Sequence, residues 1–133
     1  MRTLLALTLL VIGCAPLADT ANPGLDGTDW VLTAMSGTAP IANSNITLKF
    51  ADGSATGSAG CNQYRSSYTT SGSELKFGMT ISTKRACLEP AMNRQEVAYL
   101  DALNKVASYE ITGDRLLLKD AANTTLLEFA KTP

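Results

Sequence analysis

The sequence of 133 residues contains no histidine and only three cysteines. Without histidine, the chain cannot form a Ser-His-Asp or Cys-His catalytic group. No glycine-rich phosphate loop precedes a helical segment, and the scattered carboxylates do not indicate an acid/base pair. Only two thiols remain besides the one near the N-terminus, so a structural zinc site lacks ligands. We therefore expect a protein that is not an enzyme and that requires no cofactor.

An excess of charge of one sign is also absent. The 11 Lys and Arg residues nearly balance the 12 Asp and Glu residues, which gives a net charge of −1, and no arginine-rich run occurs. A nucleic-acid partner is therefore not expected. The length and the 45% hydrophobic content predict one globular domain with a modest core.

The first 13 residues have the pattern of a lipoprotein signal peptide. A basic start at Arg2 leads into the apolar run Leu4–Ile12, which is far shorter than the ~20 residues of a membrane-spanning helix. The run ends in Val11-Ile12-Gly13-Cys14, which resembles a bacterial lipobox. The alternative is an ordinary signal peptide whose apolar run happens to end in cysteine. The lipobox interpretation predicts cleavage before Cys14 and lipidation of that residue.

Lipidation of Cys14 would anchor the protein to a membrane of the cell envelope. Bacterial lipoproteins carry a diacylglyceryl group, usually with an added amide-linked acyl chain, and two or more chains anchor a protein stably. Ala15 rather than aspartate follows the cysteine, which favours the outer membrane, with the domain facing the periplasm. Residues 14–27 are mostly small or polar and include Pro and Gly. This composition predicts a flexible tether. The folded domain is then expected over residues 28–131, as a monomer.

Beyond the tether, the sequence pattern is mainly that of β-strands. Strand-forming residues recur at spacings of roughly 8–12 residues, and hairpin signals such as Asp52-Gly53 separate them. The predicted strands are Trp30–Met35, Ile46–Phe50, Ser54–Gly60, Tyr64–Thr69, Leu75–Phe77, Met79–Thr83, Ser108–Thr112, Leu116–Lys119 and Leu126–Phe129. A change of period, with Pro90 near its start, predicts a single helix at about residues 89–106. Together these elements predict a sandwich or a small antiparallel barrel, with one helix against an end or opening.

The stretch that runs from Gly57 to Cys61 contains two glycines and two other small residues, which suits a sharp bend or a close approach of two backbones. Cys87 lies 26 positions after Cys61, just before the predicted helix. The pair could form a structural disulfide, a redox pair or part of a metal site. The spacing is not the Cys-x-x-Cys of exchange chemistry, and an exported domain meets an oxidising compartment. We therefore predict a Cys61–Cys87 disulfide.

Four further residues are candidates for a polar site beside this disulfide. Asn62 and Tyr64 come directly after Cys61, although Asn also tolerates a left-handed turn and Tyr often covers a core edge with its hydroxyl in water. Glu96 interrupts the apolar face of the predicted helix. We expect it to be partly buried and paired with the backbone near Asn62 or with Arg85. These residues predict either a binding site or a lock that stabilises the fold.

These residues also occur together in one protein family. The motif Gly57-x-x-Gly60-Cys61-Asn62-x-Tyr64, with Thr83-x-x-Ala86-Cys87 and the helical Glu96, resembles the META domain, or HslJ-like, family. The resemblance covers about residues 26–131 and implies a small antiparallel barrel of lipocalin-like topology that carries one helix. It implies no enzymatic reaction and no cofactor. Members are often secreted lipoproteins associated with heat-shock and antibiotic-stress responses. Lys84-Arg85 departs from the pattern, since related sequences more often place an apolar methionine there.

Two functions of different classes remain open. The first is a stress-related envelope module that acts through protein binding or structural support. The second is an enzyme inhibitor of the lysozyme-inhibitor type, or a carrier of small apolar ligands. An inhibitor should present a protruding loop, for which Thr38–Asn45 and Ser66–Ser73 are the candidates, whereas a carrier should contain an open apolar cavity.

Overall fold

The computed structural model describes Gly13 and residues 24–133. The predicted signal peptide, the predicted lipidation site Cys14 and most of the predicted tether lie outside the described residues. In the described part, no helix has the length and apolar character needed to cross a membrane.

The described residues form nine strands and one α-helix. The strands are β1 (Thr28–Met35), β2 (Thr47–Ala51), β3 (Ser54–Ser58), β4 (Gln63–Ser71), β5 (Glu74–Phe77), β6 (Ile81–Ser82), β7 (Ser108–Thr112), β8 (Arg115–Lys119) and β9 (Thr125–Lys131), and the helix is α1 (Pro90–Lys105). The predicted strand over residues 79–83 is wrong in extent. Only Ile81 and Ser82 pair with β4, because Met79 and Thr80 cross from the end of β5 without a strand partner.

Eight of these strands form a closed antiparallel ring. Its order is β1-β2-β3-β4-β5-β7-β8-β9, and β9 pairs with β1 to complete it. Apart from that closing pair and the β5–β7 pair, between which β6 and α1 intervene, each strand of the ring lies beside its neighbour in the chain, so the ring is a meander. β6 pairs with the first part of β4 and β5 pairs with the last part. The predicted mainly β fold, a small antiparallel barrel with a single helix, is confirmed.

The shortest strand pairing in the ring is between β5 and β7, where Glu74 and Ser108 are the one pair of residues in register. α1 lies between β6 and β7 in the chain and packs against β5. It buries one face, in which Tyr99 and Leu103 have no exposed surface. The ring of Tyr99 contacts Tyr64 of β4 and Phe129 of β9, so the helix joins strands from two sides of the barrel.

The folded domain begins earlier than predicted. Leu25 belongs to the buried core, with 2% of its surface exposed, and the Gly27 N–H donates to the carbonyl of Phe50 at 2.7 Å. The predicted boundary between tether and domain at residue 28 is therefore wrong by about three residues. The segment around Leu25 has the composition of a linker. A single apolar residue in such a segment does not indicate that its side chain is part of the core.

Candidate functional site

The corner between β3 and β4 places the candidate residues, and two glycines shape it. A Cβ atom at Gly57 would collide with the carbonyl oxygen of Thr47, so the two backbones approach as closely as glycine allows. Gly60 has φ +122°, a conformation that residues with side chains rarely adopt. The chain therefore turns sharply after β3 and presents Cys61 and Asn62 towards α1.

Cys61 and Cys87 form a disulfide, with their Cα atoms 5.7 Å apart. This distance lies within the usual range for disulfides, about 4.4–6.8 Å. The bond connects the β3–β4 corner to the segment just before α1. The sequence-based prediction of this pairing is confirmed, and both cysteines are partly buried.

Asn62 makes the largest set of side-chain hydrogen bonds in this region. Its Nδ2 donates to Glu96 Oε2 at 2.7 Å and to the Arg85 carbonyl at 3.0 Å. Its Oδ1 accepts from Thr83 Oγ1 at 2.9 Å and from the Arg85 N–H at 2.7 Å. Two donors and two acceptor positions are the full capacity of an amide side chain. The side chain is therefore saturated, and Asn62 is not in a left-handed conformation, which corrects that interpretation.

Glu96 is buried on α1, with 5% of its surface exposed. Its Oε1 accepts the Asn62 N–H at 2.8 Å, so both carboxylate oxygens are bonded to one residue. Of the two alternatives for its partner, the structure shows the backbone of Asn62. In the described part of the chain no ion pair reaches Glu96; the ion pairs there are Arg115–Glu128 and Lys119–Glu110.

Arg85 contributes to this network through its main chain. Its N–H and carbonyl hold the Asn62 amide, while the residue itself is exposed and lies along a surface cleft. Any residue except proline, which has no backbone N–H, can form the two backbone bonds at this position. A charged residue therefore fits at this position.

Tyr64 lies in the core rather than at the wet edge that the sequence suggested. The residue is 3% exposed, and its hydroxyl donates to the Thr47 carbonyl at 2.7 Å. The hydroxyl also lies 2.7 Å from that of Tyr99. Burial raises the pKa values of both phenols well above their usual range. The expectation of a solvent-exposed hydroxyl is wrong, because the helix covers this part of β4.

Two residues that sequence reasoning did not select also shape the site. Gln95 is buried, and its Oε1 accepts the Ile41 N–H at 2.7 Å, which fixes the loop after β1 to the helix. Its position three residues after Met92 and four before Tyr99 places it on the buried helix face. That spacing could have identified it. Thr83, which belongs to the motif Thr83-x-x-Ala86-Cys87 but was not a candidate site residue, accepts the Gln63 N–H and donates to Asn62.

A cleft of about 520 Å³ opens beside the disulfide. We call it the disulfide cleft. One side is the loop at residues 41–43, the other is the segment at residues 85–89, and Gly60, Cys61 and Met92 complete the lining. Leu88 is fully exposed here, and Ile41 is 37% exposed. The Asn62–Glu96 network lies behind this cleft and fixes both cysteine-bearing segments that border it.

The same region contains a group of atoms of metal-ligating type. The sulfur atoms of Cys61 and Cys87 and a carboxylate oxygen of Glu96 lie within 4.8 Å of one another. With the disulfide formed, the two sulfurs are bonded to each other and carry no charge. The arrangement then serves to join the β3–β4 corner to the helix.

Solved structures with the same fold include an NMR structure of a protein from Burkholderia xenovorans. It is 30% identical to this chain, with a TM-score of 0.68, over 91% of this chain and 99% of that one. A second NMR structure matches with a TM-score of 0.64 and 22% identity over 80% of this chain and 90% of that one. A DUF4847 family crystal structure from Bacteroides vulgatus has a TM-score of 0.54 at 18% identity, over 80% of this chain and 93% of that one.

Comparison with curated proteins gives no match. The family comparison is decisive, because the META domain matches residues 23–133, which includes every strand, the helix and the disulfide. The chain therefore belongs to the META domain family.

Proposed function

We propose that the protein is a lipid-anchored, non-enzymatic module of the cell envelope that binds another envelope protein during stress. The observation that carries the binding part is the exposed apolar surface at the disulfide cleft. Leu88 has no covering neighbour in the described part of the chain, and Ile41 faces the same cleft. Exposed apolar residues grouped around a concave surface are typical of protein-interaction sites.

The partner surface that fits the disulfide cleft is an apolar side chain next to a carboxylate. Ile41, Leu88 and Met92 supply apolar surface, and Arg85 on the same cleft forms no ion pair in the described part of the chain. An acidic group on the partner would pair with that guanidinium at the rim. Rim charges of this kind contribute more to specificity and association rate than to affinity.

Rigid support for the cleft favours a surface that keeps its shape when a partner binds. The Asn62 amide has all four hydrogen-bonding positions occupied, and both Glu96 oxygens accept hydrogen bonds. Groups that are held in this way position the segments around them. We therefore propose that the cleft is a preformed docking surface, which lowers the ordering cost of association.

The packed interior argues against the carrier alternative. Side chains such as Leu48, Phe50, Leu116 and Leu118 have no exposed surface and fill the barrel. The inhibitor alternative requires a protruding loop. Residues 66–71 belong to β4 instead, and the Thr38–Asn45 loop is bonded to Gln95 and contains the buried Ser44. Its exposed tip at residues 41–43 borders the disulfide cleft, so it fits the docking surface as well.

The anchoring part of the proposal is tested on Cys14. Mass spectrometry of the protein from membranes should find Cys14 as an acylated N-terminus, and Cys14→Ser should accumulate as unprocessed precursor. An unmodified N-terminus at another residue would contradict lipid anchoring. It would not bear on the docking surface, which is tested separately.

The binding part is tested by charge substitution at the cleft. Leu88→Asp should abolish recovery of the partner after cross-linking in intact cells, with unchanged thermal stability. Met79→Asp is the matched control, because Met79 is 86% exposed and does not line the cleft. Equal recovery with both variants would rule out the disulfide cleft as the docking surface.

A further inference from the structure

Two sulfur atoms and one carboxylate oxygen of metal-ligating type lie together at the disulfide, and docking at the cleft does not use them. Oε2 of Glu96 lies 3.8 Å from the sulfur of Cys61 and 4.0 Å from that of Cys87. In a tetrahedral zinc site with Zn–S bonds of about 2.3 Å and Zn–O bonds of about 2.0 Å, sulfur and oxygen ligands lie about 3.5 Å apart. The two sulfur–oxygen separations are therefore already close to those of such a ligand set. The two sulfurs are bonded to each other in the disulfide and must move apart to about 3.8 Å once it is reduced.

We infer that reduction of the disulfide converts this cluster into a binding site for a thiophilic divalent cation of the zinc type. A dithiol reductant supplies two electrons and two protons, so that the Cys61–Cys87 bond breaks, two thiols form and the reductant becomes a disulfide. The cation then displaces the two thiol protons. It forms two metal–sulfur bonds and one metal–oxygen bond to Glu96.

The carboxylate is already oriented for this role. Glu96 Oε2 accepts one hydrogen bond from Asn62 Nδ2, and a carboxylate oxygen has a second lone pair available. Asn62 is itself fixed by Thr83 and by the main chain of Arg85. Metal-binding carboxylates commonly have hydrogen-bonded partners of this kind, which orient the ligand and support its affinity. The Asn62 network thus serves the disulfide state and the metal-bound state alike.

The disulfide cleft gives a cation access to this position. Cys61 and Cys87 both line it, so an ion held by them and Glu96 would have its fourth position towards solvent. Water would complete a tetrahedral shell there. Because the same two sulfurs form either the disulfide or the metal bonds, the two states exclude each other. The site is therefore gated by reduction.

The test uses the full-length protein with Cys14→Ser, so that Cys61 and Cys87 are the only cysteines that can supply thiolates. After reduction by a dithiol and anaerobic removal of the reductant, it should bind one equivalent of Zn²⁺ in equilibrium dialysis. Cd²⁺ should give the ultraviolet charge-transfer absorption of cadmium–thiolate bonds. The oxidised protein should give neither signal. A reduced protein that binds no ion would overturn the inference.

Glu96→Gln tests the third ligand, and Glu89→Gln is its matched control because Glu89 lines the cleft outside the cluster. Glu96→Gln should weaken Zn²⁺ binding by about 100-fold or more, since even partners outside the ligand set contribute 10–100-fold. Glu89→Gln should leave binding unchanged. Equal affinities would contradict a role for Glu96.

The reduced Glu96→Gln variant could lose its helix, which would prevent a comparison of affinities. In that case, X-ray absorption of the reduced, zinc-loaded protein that retains Glu96 identifies the ligands of the metal. Two sulfur and two oxygen ligands would support the site. A shell without sulfur, or with sulfur alone, would refute it.

Discussion

Replacement of Asn62 by alanine should be among the most damaging single changes outside the apolar core. It removes four side-chain hydrogen bonds, of which the one to the buried Glu96 carboxylate is worth roughly 1.5–3 kcal/mol. The other three involve Thr83 and the main chain of Arg85, which are exposed enough for water to replace part of each bond. At about 0.5 kcal/mol each, they bring the expected loss to about 3–4.5 kcal/mol. That is a large share of the 5–15 kcal/mol stability of a typical domain.

Urea or thermal unfolding of the oxidised protein measures this loss. Trp30 is the single tryptophan and is 2% exposed, so its fluorescence should report the transition. The melting temperature should fall by about 12–18 °C, at about 4 °C per kcal/mol. Asn93→Ala is the control, because Asn93 is an exposed asparagine on α1 and should change stability by less than about 0.5 kcal/mol.

Asn62→Asp separates hydrogen bonding from packing. The new oxygen would replace a donor that lies 2.7 Å from Glu96 Oε2, so two carboxylates would face each other. This variant should be at least as unstable as Asn62→Ala at neutral pH and should recover when acid protonates one carboxyl group. An Asn62→Ala protein as stable as Asn93→Ala, or an Asn62→Asp protein that is more stable than Asn62→Ala at pH 7, would refute the reasoning.

Three further changes test the fold. The double substitution Cys61→Ser and Cys87→Ser should lower the free energy of unfolding, measured in urea, by about 2–5 kcal/mol, because the disulfide constrains the unfolded chain. Alkylation of both thiols in the native, non-reduced protein would show that the disulfide is absent. Burial raises the pKa values of Tyr64 and Tyr99, so the folded state keeps both phenols protonated where the unfolded state loses them. The free energy of unfolding should therefore fall as pH rises past about 10, by up to about 1.4 kcal/mol per pH unit for each tyrosine. Tyr99→Phe should reduce this slope. An unchanged slope would argue against the buried pair. Leu25→Ala should cost about 2–4 kcal/mol in thermal unfolding, whereas Leu88→Ala at a fully exposed position should cost almost nothing; similar values for the two would place the start of the domain after Leu25.

Most of the barrel was predictable because its strands carry local signals. Hairpin turns at Asp52-Gly53, Gly72-Ser73 and Gly113-Asp114 set the register of three strand pairs. Before the first of these turns, Ile46–Phe50 alternates apolar and polar side chains with period two. The helix differs in period and begins with Pro90. By contrast, Leu25 enters the core from a linker-like segment. Its burial depends on a long-range contact for which the local sequence has no signal.

The sequence predicted which residues belong to the candidate site, but it did not predict the hydrogen bonds that they form. Glu96 is conspicuous because it interrupts an apolar helix face, and Cys61 with Cys87 is conspicuous because the chain has so few cysteines. The bonds that Asn62 makes to the main chain of Arg85 depend on backbone atoms, which every residue has. The roles assigned to Tyr64 and Asn62 from residue preferences were therefore wrong. The Tyr64 hydroxyl is buried against that of Tyr99, and the Asn62 amide is held by the main chain of Arg85.

Site-specific photo-cross-linking in intact cells tests the central claim most directly, namely that the surface beside the disulfide is where the protein binds. A photoreactive amino acid would replace one residue at a time at Ile41, Ala42, Ala86 and Leu88 on the cleft, and at Lys49, Met79 and Glu110 away from it. The account predicts one cross-linked partner of constant size from the four cleft positions, and none from the other three. Cross-links of equal yield from both sets, or from the second set alone, would contradict it.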